Sequence, residues 1–112
     1  MPKLTMLALN HNNLQAVTVK HGIHELVSLQ TLKLQDNALK SIDPDAIPRC
    51  CVSINLSRNN LSCPEAVLKL VKRRSQLSSL VLVGNTALLS NPNAQQQLRR
   101  AADRPQFNLK LS

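Results

Sequence analysis

One spaced pattern, Leu-x-x-Leu-x-Leu-x-x-Asn-x-Leu, recurs four times along the chain. The copies are Leu4, Leu7, Leu9, Asn12, Leu14; Leu29, Leu32, Leu34, Asn37, Leu39; Cys51, Ile54, Leu56, Asn59, Leu61; and Leu77, Leu80, Leu82, Asn85, Ala87. The copies begin at residues 4, 29, 51 and 77, so the periods are 25, 22 and 26 residues. A repeat of that length is one supersecondary unit that cannot bury its own apolar face. Successive units must therefore stack and share a core.

Within each copy the leucines first alternate with other residues, as in Leu7-Ala8-Leu9 and Leu32-Lys33-Leu34. Period 2 places the leucines on one face of a short strand and the intervening residue on the other. Strands from successive copies then lie side by side in parallel, each joined to the next by a return segment. Asn12, Asn37, Asn59 and Asn85 fall where the chain must turn inward and leave the ladder. A carboxamide carries donors and an acceptor, so a buried Asn can satisfy backbone groups that neither Asp nor Leu could serve together. These four are expected to form a structural ladder rather than a ligand site.

The chain resembles leucine-rich repeat proteins from Leu4 to Leu111. That resemblance implies an α/β solenoid of about four and a half repeats. Short parallel strands would line the concave side, with loops and helices on the convex side. Residues 1–112 then read as a single leucine-rich repeat domain, with repeats near 4–28, 29–50, 51–76 and 77–103 and a partial one over 104–112. The second repeat is similar to the short intracellular type, and Pro64 to Gln76 to a longer type with a full helix. The Gly-x-Ile-Pro of plant receptor arrays is missing after the Asn-x-Leu.

Ser62, Pro64 and Glu65 suit a helix start, and Val67, Leu70 and Val71 form its inward stripe. A second helix is expected over Ala94–Asp103, after Asn91-Pro92-Asn93 and stopped by Pro105. His21–Val27 reads as a single helical turn and Ile42–Pro48 as loop. Phe107 and Leu109 are assigned to the second and third leucine slots of a fifth copy. Neither end shows the polar cap that a solenoid needs. The expectation is a segment of a longer array, or ends hidden by self-association.

No apolar run approaches the ~20 residues that span a bilayer, and the N-terminus is too short in apolar residues for a secretory signal. Three cysteines cannot all pair. Cys51 occupies a leucine slot, Cys50 points away from it, and Cys63 sits at a helix start, where its thiol could be activated. Reduced thiols point to a reducing, cytoplasmic setting.

Charge is uneven. Residues 57–112 hold nine bases and two acids, against five and four in residues 1–56, within a total of +8. Lys69, Lys72, Arg73, Arg74, Arg99 and Arg100 ride on the two convex helices. Such a stripe is either a solvated face or a site for an anionic partner, RNA, membrane or acidic protein. One Phe and no Trp or Tyr leave no stacking platform for single-stranded nucleic acid.

Catalysis finds no support. His11, His21 and His24 lack a nucleophile or carboxylate at a recognisable spacing, His21-x-x-His24 lacks a Cys-x-x-Cys, and Gly22 and Gly84 are the only glycines. No cofactor or metal is expected. The outward strand positions are better candidates: Met6, Ala8, Asn10 and His11; Thr31, Lys33, Gln35 and Asp36; Ser53, Asn55, Ser57 and Arg58; Ser79, Val81, Val83 and Gly84. Stacked, they form columns Ala8–Lys33–Asn55–Val81 and Asn10–Gln35–Ser57–Val83. Family resemblance implies a protein ligand on this concave face, with Asn10, His11, Lys33, Gln35, Asp36, Asn55, Ser57 and Arg58 as contacts. The preferred anchors are Lys33, Asp36 and Arg58.

Overall fold

A computed structural model describes residues 4–62, 64–74 and 76–111, without the side chain of His21. The expectations placed on Cys63, on the Met1–Lys3 entry and on the imidazole of His21 lie outside the described residues. Each copy forms a three-residue strand around its second leucine slot: β1 (Met6–Ala8), β2 (Thr31–Lys33), β3 (Ser53–Asn55) and β4 (Ser79–Val81), followed by β5 (Asn108–Lys110). All neighbours pair in parallel in the order β1-β2-β3-β4-β5. Register aligns Leu7, Leu32, Ile54, Leu80 and Leu109 in one row.

That row is the spine of the core. Leu32, Leu34, Ile54, Leu56, Leu80 and Leu82 are fully buried, each contributing on the order of 1.5–3 kcal/mol by leaving water. Burial needs a neighbour on both sides. Leu7, Leu9 and Leu14 in the first copy are only half-buried, and Leu4 is 44% exposed.

The fifth copy corrects the frame read from sequence. Leu109 pairs with Leu80, so Leu109 and Leu111 take the second and third slots, not Phe107 and Leu109. A two-residue shift keeps every side chain on its face. Alternation is therefore the same in both frames, and the ladder decides: Asn108 N donates to Ser78 O and Leu82 N to Lys110 O, both at 2.8 Å.

The returns become more helical along the chain. Between β1 and β2 there are two 3-10 turns, Val19–His21 and Ile23–Glu25, where one turn was expected. The next return, read as loop, holds a 3-10 turn at Pro44–Ala46, capped by the Asp43 carboxylate accepting from Asp45 N at 3.0 Å. Helix α1 (Pro64–Arg73) buries Val67, Leu70 and Val71, the stripe expected from their spacing. A short helix α2 (Thr86–Leu89), not foreseen, buries Leu88. Helix α3 (Pro92–Ala101) starts and stops two residues earlier than expected, because the Asn91 side chain caps it, accepting from Asn93 N and Ala94 N. Helices α1 and α3 pack against each other on the face opposite the strands' outward side chains.

Candidate functional site

Outward positions of the strands form continuous columns, because register is exact from β1 to β5. Met6, Thr31, Ser53, Ser79 and Asn108 make one column; Ala8, Lys33, Asn55, Val81 and Lys110 make the next. Lys33 and Asn55 are half-buried, and the Asn55 carboxamide oxygen accepts from Ser57 N at 3.0 Å. Asn10 and Gln35 are also half-buried, Gln35 with its Oε1 enclosed and unpartnered among the described residues. Ser57, expected on the surface, is 3% exposed. The tight turn after β3 draws it under its neighbours, so it adds almost no contact area.

The next column carries the charge. His11, Asp36, Arg58 and Gly84 each precede the ladder Asn, and all four have left-handed backbone, with φ of 62°, 60°, 54° and 82°. The chain reverses there sharply enough to need a positive φ, which Gly adopts freely and Asp or His more readily than most. Arg58 is the costly member. A Cβ on Gly84 would lie 2.9 Å from Arg58 Cγ and 3.3 Å from its Cα. Gly84 thus both turns the chain and leaves room for the Arg58 stem.

This geometry aims three side chains at one point. Arg58 grips the Asp36 carboxylate with two parallel donors, Nε to Oδ1 and Nη2 to Oδ2 at 2.8 Å. His11 Nε2 stands 3.5 Å from Asp36 Oδ2. The hydrogen bonds from Arg58 hold the Asp36 carboxyl below the ordinary carboxylate range, and the same bonds raise the Arg58 guanidinium. With Lys33 and Lys110 two columns away, the open face carries more positive than negative charge.

Beneath it runs the carboxamide ladder. Asn37 Oδ1 accepts from Asn12 N and Leu14 N, while its Nδ2 donates to Leu9 O and Leu34 O. Asn59 accepts from Leu39 N and donates to Leu34 O and Leu56 O; Asn85 accepts from Leu61 N and donates to Leu56 O and Leu82 O. Each ties its own copy to the one before. Asn12 departs from that expectation: it is exposed, and among the described residues its Nδ2 reaches only Asn10 O at 3.3 Å.

On the helical side, Lys69, Lys72, Arg73, Arg99 and Arg100 are exposed as expected, with Arg73 bridging Asp45 at 3.2 Å. Arg74 is a correction. It is 8% exposed and folded under the helix end, donating to Pro44 O and Ile47 O. Arg104, not singled out from sequence, does the same one repeat later. It donates to Val71 O and Arg74 O at 2.9 Å and to Leu77 O, with its guanidinium 4.5 Å from the Phe107 ring centre. Its only signal was position: an arginine just before a strand, in the place that Arg74 holds before β4. Cys51 is enclosed in the core, where burial pushes its thiol up to about 11.

The family model for Leucine rich repeat matches residues 2–61, more than half the chain. The chain belongs to the leucine-rich repeat family. No curated protein matches it. Leucine-rich repeats generally mediate protein–protein interaction and are typically non-enzymatic modules. No helix among the described residues of this leucine-rich repeat protein is long and apolar enough to cross a membrane.

Proposed function

We propose that this chain is a non-catalytic scaffold that binds a protein partner on the open, concave-type face of its sheet. The observation that carries the reading is the unbroken register of five strands, which turns isolated polar residues into rows spaced ~4.8 Å apart. An extended surface of that kind suits a protein ligand better than a small molecule. Lys33 is the central anchor, since it forms no ion pair among the described residues. Arg58, Asp36 and His11 flank it, with Asn10, Gln35 and Asn55 supplying neutral contacts. Surplus positive charge on this face favours a partner that presents acidic groups.

The reading places the protein in a reducing compartment, supported by free Cys50 and Cys51 with Cys51 enclosed. Quantitative co-precipitation tests the proposed face. Lys33→Glu is expected to weaken the captured partner at least tenfold, while Lys69→Glu and Arg99→Glu on the helices leave it unchanged. The reverse pattern would move binding to the helical side.

A further inference from the structure

A pocket lies not on the sheet but among the return segments, where the end of α1 meets the 3-10 turns of the first two returns. It encloses about 1060 Å³. Its wall includes Arg49, Arg73 and Arg74 against a single acid, Asp45, which is already held by Arg73. Arg74 is the unusual member. The residue is more than nine-tenths buried, and among the described residues its guanidinium is met only by carbonyl oxygens through Nη2. Its Nε has no partner and its charge no carboxylate among the described residues. His24 Nδ1, in the same wall, is likewise enclosed and without a partner among the described residues. A buried cation without a counter-charge is costly, and native structures seldom keep one idle.

Apolar surface borders the same pocket. Val27 is 83% exposed and Val19 45%, beside Pro48. We propose that this pocket binds an acidic peptide segment of a partner, its carboxylate or phosphorylated side chain entering beside Arg49 and Arg74 while neighbouring apolar side chains cover Val19 and Val27. Charge complementarity selects the anion. The enclosed arginine and exposed valines select a peptide over nucleic acid, because no aromatic ring lines the pocket for base stacking. The site is separate from the open face of the sheet and gives the repeat a second docking point.

Amide chemical-shift titration of the whole chain tests this with three probes: a synthetic peptide alternating glutamate and valine, inorganic phosphate, and vesicles containing phosphatidylserine. The peptide is expected to give saturable shifts at Val19, Val27 and Arg49, with phosphate moving the same amides more weakly. Arg49→Gln should weaken the peptide at least tenfold, and so should Val27→Ser. Both residues are exposed, so neither change threatens the fold as a substitution at Arg74 would. Lys33→Glu should leave this binding intact, which separates its fate from that of the open face. Shifts spread over Lys69, Lys72, Arg99 and Arg100, binding to vesicles alone, or no saturable response to the peptide would each overturn the proposal.

Discussion

At the scale of single residues, two side chains of the same type at the same repeat position do different work. Asn59 holds one backbone N–H and carbonyls of two copies, whereas the Asn12 side chain, among the described residues, bonds only Asn10 O within its own turn. Removing a buried partner leaves the opposing groups unsatisfied, at about 1–3 kcal/mol or more. Asn59→Ala is therefore expected to lower unfolding stability by at least that amount and Asn12→Ala by no more than ~0.5 kcal/mol. Urea denaturation of both variants checks the contrast. Asp36 offers a pH test. Its folded pKa lies below the unfolded value, so the stabilisation from Arg58 is complete above the unfolded pKa. It is lost as pH falls through the folded one, a window below about pH 4. The Asp36 carboxyl carbon should titrate below the ordinary range by NMR and return to it in Arg58→Gln; an unchanged midpoint would discount the pair. The left-handed column was not legible beforehand. Asp36 and Gly84 carry a hint of it, but Arg58 is an ordinary residue whose conformation follows from stacking on its neighbours.

Elements were read best where periodicity alone specified them. Alternating leucines gave the strands, and the Val67, Leu70, Val71 spacing gave the buried face of α1. Reading failed where two arrangements share one periodicity, as in the frame of β5, or where a long side chain leaves the surface its charge suggests. Arg74 and Arg104 belong to the second group. Each reaches back from the end of one return to carbonyls of the return before it, including those at the C-terminal end of α1. A cation there suits both the unpaired carbonyls and the helix dipole. Arg104→Gln is expected to cost about 1–3 kcal/mol and to loosen the last turn of α1, seen as faster amide exchange at Val71 and Arg74 than in Arg100→Gln. Equal behaviour of the two variants would make Arg104 one more solvated surface charge.

Over the whole molecule, three devices run along the stacking axis: the leucine row, the carboxamide ladder and the arginine tethers. The leucine row runs through all five copies, the ladder ties the second, third and fourth copies each to its predecessor, and the arginines tie the third and fourth returns to the ones before them. The open face therefore exists only as long as the repeats stay in register. The proposed partner site, built on columns such as Lys33–Asn55, is then a property of the stack and not of any one repeat. The family and the strand arrangement could be read from spacing because a leucine spine repeats its own instruction. The site was half legible: positions of the columns follow from register, but burial of Ser57 and the Arg58–Asp36 grip depend on turn geometry that spacing does not encode. Amide hydrogen exchange tests the shared spine most directly. Leu34, Leu56 and Leu82 donate to Asn55 O, Val81 O and Lys110 O at 2.9, 2.8 and 2.8 Å, one from each of the last three strand interfaces. All three amides should exchange slowly, and Ile54→Ala, costing about 2–5 kcal/mol, should accelerate them together. An unprotected amide among the three, or a Leu82 amide indifferent to Ile54→Ala, would contradict a single stacked core.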